Sequence, residues 1–205
     1  MKLKVCGMRQ SENIQRLLQL EPDYMGFIFY GKSPRNAEGI LNEELLKEFP
    51  NTTKKVGVFV NAPIQELKEK VGQYKLDYVQ LHGDESVEYV GELFAIGIKV
   101  IKVFSVGQEF DFNQLKPYKG LVDFFLFDTK GKERGGNGEV FNWEVLHNYP
   151  YDVPYFLSGG IDLENVEEVT NIKVQPYAID VNSKFKLEPG LKDIDELREL
   201  KKLMP

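Results

Sequence analysis

Short apolar segments alternate with longer amphipathic segments along the chain, at a spacing of roughly 20 to 30 residues that is typical of βα units. Residues 124–127 and 155–157 are continuously apolar, as expected for strands that are covered on both faces. The pattern predicts eight strands, at residues 3–6, 24–29, 56–60, 78–81, 100–104, 124–128, 155–158 and 178–181.

A segment with helical spacing is expected after each predicted strand. Five of these segments have a start signal, namely a capping residue or an early proline before the apolar stripe, at Ser11, Asn61 with Pro63, Asp84, Asp162 and Asp193. The segments after strands 2, 5 and 6 have weaker patterns. Eight strands in alternation with eight helices predict a parallel sheet with helices around it.

Eight βα units can close into a (β/α)₈ barrel, and an open doubly wound sheet is the alternative. The open sheet usually has fewer strands and a GxGxxG turn after the first strand. Here strand 1 runs instead into Cys6-Gly7-Met8-Arg9. We therefore predict an α/β protein with one (β/α)₈ TIM barrel over residues 1–205, without a domain boundary.

Composition limits the kind of partner. The net charge of −6 argues against a nucleic-acid ligand, although a small anion could still bind to a few local cations or helix N-termini. Two histidines and one cysteine disfavour a metal site and exclude an internal disulfide. The sequence shows neither a signal peptide nor an apolar run long enough for a membrane span, so we expect a cytoplasmic protein. A homo-oligomer is compatible with the sequence but is not determined by it.

Chemically useful side chains are found where the predicted strands end, which in such barrels is the catalytic face. Because side chains alternate along a strand, Lys4 should lie on the same face as Cys6, beneath it inside the barrel. A buried ammonium requires a carboxylate partner, and Asp180 on the neighbouring strand 8 is the expected one. The strand-end residues are Cys6, Tyr30, Asn61, Gln80, His82, Ser105, Asp128, Ser158, Asp180 and Asn182.

Seven segments, in order and at barrel-compatible positions, resemble the phosphoribosylanthranilate isomerase family of tryptophan biosynthesis. Each one alone is a weak signal, but together they span nearly the whole chain. They are Val5-Cys6-Gly7-Met8-Arg9, Ser33-Pro34-Arg35, Val58-Phe59-Val60-Asn61, Val79-Gln80-Leu81-His82-Gly83, Asp128 with Gly135-Gly136-Asn137-Gly138, Leu157-Ser158-Gly159-Gly160-Ile161, and Asp180-Val181-Asn182-Ser183 with Pro189-Gly190-Leu191-Lys192-Asp193.

The resemblance implies an Amadori rearrangement of N-(5-phosphoribosyl)anthranilate to 1-(2-carboxyphenylamino)-1-deoxyribulose 5-phosphate, without a cofactor. It assigns the general base to Cys6 and the general acid to Asp128. The residue types suit the reaction, because ring opening needs a proton donor and removal of the C2 proton needs a base. A thiolate at Cys6 would require local positive potential, with Lys4, backbone amides and Arg35 as candidate sources.

The expected ligand is a small phosphosugar that carries a phosphate and a carboxylate. Gly159, Gly160 and Ser183 follow strands 7 and 8, the recurring phosphate position of these barrels. Arg35 suits the anthranilate carboxylate, because its planar fork matches that group. The other substrate-binding candidates are Gln80, His82 and Asp180, and residues 135–138 are expected to form a mobile cover.

Some interpretations remain open. After strand 8 the family more often has a glycine where this chain has Lys184, which would strain the backbone if a positive φ were needed there. The histidine-pathway isomerase catalyses the same rearrangement on a related barrel, but it resembles a two-fold repeat and uses an aspartate as base. A non-catalytic barrel that binds phosphosugars is the alternative from another functional class, and the presence of both Cys6 and Asp128 disfavours it.

Overall fold

The computed structural model describes residues 1–107, 109–129 and 142–204. Its eight main strands are parallel and form a closed barrel, in which the first strand pairs with both the second and the eighth. The predicted barrel is confirmed, and the open sheet is wrong. The strands are β1 (Lys2–Cys6), β2 (Tyr24–Phe29), β3 (Lys54–Phe59), β4 (Tyr78–Leu81), β5 (Val100–Val106), β6 (Phe124–Thr129), β7 (Tyr155–Ser158) and β8 (Ala178–Val181).

Helices follow the first four strands, and another helix follows the eighth. They are α1 (Ser11–Leu18), α2 (Glu43–Lys47), α3 (Ile64–Tyr74), α4 (Val87–Ala95) and α5 (Ile194–Leu203). After β5, β6 and β7 the connections contain short 3₁₀ segments instead, at Phe112–Tyr118, Trp143–Asn148 and Val166–Asn171. The prediction of eight α-helices is therefore wrong at these three places. None of the helices in the described residues is long and apolar enough to cross a bilayer.

Of the five predicted capping residues, Asp193 alone caps a helix. Ser11 is the first helical residue of α1, whose N-cap is Gln10, and Asp162 precedes a 3₁₀ segment whose N-cap is Asn165. Helix α3 begins after Pro63, and Asn61 adopts a φ of 51° and uses its side chain to accept a hydrogen bond from the Asp84 amide. Helix α4 is capped by Ser86, which accepts from the Tyr89 amide, rather than by Asp84. The Asn61 side chain thus joins the loops after β3 and β4, and this tertiary contact outweighs its local capping preference. At α4 a different local cap, Ser86, takes the place of Asp84.

A small antiparallel hairpin separates β8 from α5. After a short 3₁₀ turn at Ser183–Phe185, the chain forms β9 (Lys186–Glu188) and β10 (Leu191–Lys192). The sequence pattern did not predict this hairpin. The last helix then begins at the predicted Asp193, whose carboxylate accepts hydrogen bonds from the amides of Asp195 and Glu196.

Apolar side chains close the amino-terminal half of the barrel interior. Tyr24 and Phe124 both pack edge to face on Phe156, with ring centroids 5.0 Å apart in each pair. The inward-facing cluster comprises Tyr24, Val56, Ile101, Val103, Phe124, Leu126, Phe156 and Ala178. The polar side chains of the barrel interior therefore lie in its carboxyl-terminal half.

Candidate active site

A cavity of about 540 Å³ opens at the carboxyl end of the barrel. Cys6 at the end of β1 and Asp128 near the end of β6 both line it. The four residues predicted to bind substrate line it as well, so one cavity collects six predicted site residues from separate strands and loops. Its walls are Cys6, Ile28, Ser33, Arg35, Val58, Val60, Gln80, His82, Asp128, Ser158, Asp180 and Asn182.

A second, smaller cavity of about 300 Å³ adjoins the first and shares Asp128, Ser158, Asp180 and Asn182 with it. Its remaining walls come from the turns after β7 and β8. They include the three residues predicted to bind phosphate, and they are Gly159, Gly160, Ile161, Val181, Ser183 and Lys184. The two cavities therefore share a wall, and the smaller one lies on the side of β7 and β8.

The turn after β7 depends on glycine. Gly159 and Gly160 have φ values of 91° and 72°, in the left-handed region that side chains rarely adopt. A Cβ on Gly159 would also collide with the Thr129 backbone nitrogen at 2.7 Å. The turn can therefore lie against β6 and bring its backbone close to a ligand.

The Cys6 thiol occupies space that a glycine on the next strand leaves open. Gly26 is the register partner of Cys6, and a Cβ there would lie 2.8 Å from the Cys6 Sγ. Burial raises the pKa of the thiol, against the positive charges of Lys4 and Lys192, which lower it. Lys4, one of the sources of positive potential expected from the sequence, thus lowers the pKa of the thiol. Lys192 lowers it as well, and the sequence pattern did not predict its contribution.

Lys4 lies beneath Cys6 inside the barrel and is fully buried. Its Nζ donates a hydrogen bond of 2.8 Å to Asp180 Oδ2 on β8, which confirms the predicted pair. Burial acts to lower the pKa of Lys4, but the charges of Asp180 and Cys6 raise it above its ordinary value. The ammonium is therefore retained, and the other oxygen of Asp180 faces no hydrogen-bond donor among the described residues.

His82 lies between Gln80 and Asp128. Its Nδ1 is 3.3 Å from Gln80 Nε2, and its Nε2 is 3.4 Å from Asp128 Oδ2. If the Gln80 amide donates to Nδ1, the proton of a neutral ring is on Nε2 and points at Asp128. The imidazole can thereby orient the Asp128 carboxyl.

Arg35 reaches the first cavity from the loop after β2. Its Nε is buried and has no hydrogen-bond acceptor in the described part of the chain. Gln80 Oε1, which is also buried, has no hydrogen-bond donor there. Buried polar atoms are costly when they are left unpaired, so these atoms are available to a ligand.

Lys184 adopts an ordinary backbone conformation, because it is not among the residues with positive φ. The expected strain from the missing glycine is therefore absent. Its Nζ lies 3.4 Å from Asp162 Oδ2, and the residue lines the smaller cavity. Lys184 thus adds a cation to the wall of the smaller cavity.

Sequence reasoning assigned no role to several polar residues in or beside the site, among them Ser158, Asn182 and Lys192. Ser158 and Asn182 line both cavities, and their positions at strand ends were visible in the pattern. Lys192 is buried beside Asn182, to which its Nζ donates two hydrogen bonds, and it reaches this place through the unpredicted hairpin. The expected cover at residues 135–138 lies outside the described residues.

The chain matches known proteins over nearly its whole length. The family model described as N-(5'-phosphoribosyl)anthranilate (PRA) isomerase matches residues 3–202. A protein of Parabacteroides distasonis named N-(5'-phosphoribosyl)anthranilate isomerase is 46% identical over 200 residues, which cover 97% of this chain and 90% of the relative.

Solved structures agree in fold. The phosphoribosyl anthranilate isomerase from Thermotoga maritima superposes with a TM-score of 0.86 at 33% identity, covering 99% of this chain and 98% of that one. Another, in complex with reduced 1-(o-carboxyphenylamino)-1-deoxyribulose 5-phosphate, has a TM-score of 0.81 at 30% identity, with 98% and 97% covered.

Proposed function

The chain belongs to the N-(5'-phosphoribosyl)anthranilate isomerase family, and we propose that it converts N-(5'-phosphoribosyl)anthranilate to 1-(2-carboxyphenylamino)-1-deoxyribulose 5-phosphate, with Cys6 as general base and Asp128 as general acid. The chain is thus an isomerase of tryptophan biosynthesis. The observation that supports the two roles is that both side chains line one cavity, on strands three positions apart around the barrel.

The proposed reaction needs one proton donor and one proton acceptor. Asp128 protonates the ring oxygen of the sugar, the bond between that oxygen and C1 breaks, and the nitrogen lone pair forms a Schiff base at C1. The Cys6 thiolate then removes the proton from C2, which gives an enolamine that tautomerises to the ketone. The rearrangement is internal to the substrate, so the proposal involves no cofactor and no metal.

Substrate would lie across both cavities. The phosphate fits the compartment formed by Gly159, Gly160 and Ser183, where backbone amides approach closely and Lys184 adds positive charge. The anthranilate carboxylate fits Arg35, which has an unpaired buried donor. The ribose would lie between these two ends.

The polar side chains in the middle suit the ribose hydroxyls. Gln80 Oε1 and Asp180 Oδ1 are buried acceptors without donors in the described residues, and a sugar hydroxyl can donate to each. His82 would hold Asp128 in place. We propose that residues 1–205 act as a single cytoplasmic catalytic domain with a small-molecule substrate.

The direct test follows the loss of anthranilate-type fluorescence when the protein meets freshly generated substrate. The unmodified chain should turn over, whereas Cys6→Ser and Asp128→Asn should each lose about 10²-fold or more, as is typical for positioned acids and bases. Inactivity of the unmodified chain would favour a non-catalytic phosphosugar-binding protein. Full activity of either variant would contradict the assigned role of that residue.

A further inference from the structure

Lys192 is held in the mouth of the barrel by its own backbone. It lies on β10 and is 1% exposed. Its amide donates to Asn13 Oδ1 at 2.8 Å, and its carbonyl accepts from Asn13 Nδ2 at 3.0 Å. This two-way clamp to α1 fixes the start of the side chain, so Lys192 is held behind Asn182, a wall residue of both cavities, and is not a surface residue folded inward.

The Lys192 ammonium has an unusual set of partners. Nζ donates to the Asn182 carbonyl oxygen at 2.8 Å and to Asn182 Oδ1 at 2.5 Å, and both acceptors are neutral. The other two lysines below 4% exposure each bind a carboxylate, Lys4 with Asp180 at 2.8 Å and Lys102 with a glutamate at 3.0 Å. Within the described chain, no carboxylate lies within ion-pair distance of Lys192, so its positive charge has hydrogen-bond acceptors but no anionic partner.

The groups that act electrostatically on Lys192 come from four elements, and they are Cys6, Arg35, Asp180 and Lys186. Arg35 and Lys186 are cations, and Asp180 already binds Lys4. The Cys6 thiol is therefore the group in this set that can supply a new negative charge. Geometry agrees, because Asn182 Oδ1, which accepts from Lys192, lies 2.9 Å from the position of a Cβ on Gly7, the residue that follows Cys6.

We propose that Lys192 is a second counter-ion of the Cys6 thiolate beside Lys4, a positioning residue that stabilises the charged form of the thiol through space from the hairpin after β8. Lys4 has the larger effect on the thiol, but the negative charge of Asp180 acts against it. Any effect of Lys192 on catalysis depends on the proposed role of Cys6 as base. Its effect on the ionisation of the thiol is independent of that role.

The ionisation behaviour of both groups supports this pairing. Burial lowers the pKa of Lys192 to about 7, and the Cys6 charge acts in the opposite direction. Burial raises the pKa of Cys6, and the Lys192 charge acts against that rise. Each charged form thus favours the other, and the two groups should titrate as a coupled pair.

The thiolate can be observed directly, because Cys6 is the single cysteine of the chain. Ultraviolet absorbance of the thiolate is followed against pH in the unliganded protein, with Cys6→Ser as the blank for tyrosine ionisation. Lys192→Met should raise the midpoint by about one pH unit or more, the size expected for loss of a nearby opposite charge. Lys192→Arg, which keeps the positive charge, should have a midpoint close to that of the unmodified protein.

Lys186→Met is the matched control, because it removes a cation from the exposed strand of the same hairpin. Its midpoint should remain close to that of the unmodified chain. If Lys192→Met gives the midpoint of the unmodified protein, or the same change as Lys186→Met, the proposal is overturned.

A reciprocal measurement avoids any substitution at Lys192 and so does not depend on the folding of its variants. Nitrogen NMR of the lysine side chains follows the titration of Lys192 in the unmodified protein and in Cys6→Ser. Removal of the thiolate should lower the pKa of Lys192 further. An unchanged Lys192 titration would also overturn the proposal.

Activity separates this inference from the proposed function. If Cys6 is the base, Lys192→Met should lower kcat/KM about tenfold at neutral pH for a one-unit shift and recover at alkaline pH. A purely structural role would not give such recovery. If Cys6→Ser proves fully active, the role of Cys6 as base is lost, while the thiolate titration still decides the counter-ion.

Discussion

Lys4 on β1 donates its hydrogen bond to Asp180 at the seam where the first and eighth strands close the barrel. The two residues are register partners in the β1–β8 pairing, and the bond is 2.8 Å long. The pair thus joins the ends of the sheet and also fixes one carboxylate oxygen, so that the other faces the cavity. The same contact therefore joins the first and last strands of the barrel and positions the Asp180 carboxylate in the wall of the cavity.

Removal of the Lys4 charge should be strongly destabilising. Lys4→Met leaves Asp180 as a buried carboxylate without its cation, and breaking a buried pair in this way typically costs about 3–5 kcal/mol. The free energy of unfolding measured by urea denaturation should fall by that order. Activity should fall as well, because Asp180 lines the site.

The same strand offers a matched control. Lys2 pairs with Asp23 at 2.7 Å, but its side chain is half exposed, and Asp23 keeps a second bond from the Leu3 amide. Exposed pairs are worth about 0–1 kcal/mol, so Lys2→Met should change little. Equal losses of unfolding free energy in Lys4→Met and Lys2→Met would show that burial of the Lys4–Asp180 pair does not determine its contribution to stability.

The sequence predicted this pair because it needs only two rules, the alternation of side chains along a strand and the adjacency of strands 1 and 8 in a closed barrel. The same rules place Gln80 and His82 on one face. Four of the eight strands have the predicted bounds, and the others differ by up to two residues at an end. Strand positions are well predicted because buried parallel strands are continuously apolar.

Features that depend on contacts between loops were not predicted. Asn61 and Asp84 have the residue types of helix caps, yet they bond to each other across neighbouring loops. The connections after β5 to β7 form 3₁₀ segments, one of which contains Pro117, where an amide is missing for helical bonding. Lys192 reaches the site through a hairpin whose antiparallel pairs are few and carry little apolar pattern.

Gly26 should be intolerant of a methyl group. In Gly26→Ala the new Cβ would lie 2.8 Å from the Cys6 Sγ and 3.1 Å from the Cys6 Cα, so the thiol or the strand must shift. Since a displacement of about 1 Å near the chemistry can cost about 10²-fold in rate, we expect a large fall in kcat. Steady-state kinetics of the purified variant measures it.

Gly91→Ala serves as the control for that substitution. Gly91 lies within α4, and a Cβ there has no neighbour within 4 Å. The variant should retain full activity and gain about 0.5–1 kcal/mol of stability from helix propensity. A Gly26→Ala protein with the kinetics of Gly91→Ala would show that the thiol does not need this space.

His82 is expected to act through Asp128. His82→Ala removes the ring nitrogen that lies 3.4 Å from the Asp128 carboxylate, so the carboxyl group should lose its fixed orientation. We expect kcat to fall about 10- to 100-fold with a smaller change in KM. His147, the other histidine, is exposed on the 3₁₀ segment after β6, and His147→Ala should behave like the unmodified protein. Similar kinetics in both variants would show that His82 does not orient the Asp128 carboxyl group for the reaction.

The two ends of the site should respond separately to fragments of the substrate. Arg35→Gln removes the cation proposed for the anthranilate carboxylate, and Lys184→Met removes one from the compartment proposed for the phosphate. Free anthranilate and inorganic phosphate should both be competitive inhibitors of the unmodified enzyme. Arg35→Gln should weaken inhibition by anthranilate, Lys184→Met should weaken inhibition by phosphate, and neither should change the other constant.

A charge-assisted hydrogen bond contributes about 1.5–3 kcal/mol, so the affected constant in Arg35→Gln should rise about tenfold or more. The Lys184 effect should be smaller, because its side chain is 40% exposed and already lies near Asp162. If Arg35→Gln weakened phosphate and anthranilate equally, the carboxylate would not be bound at Arg35. The crossed design separates that outcome from a general loss of fold, which would raise both constants in both variants.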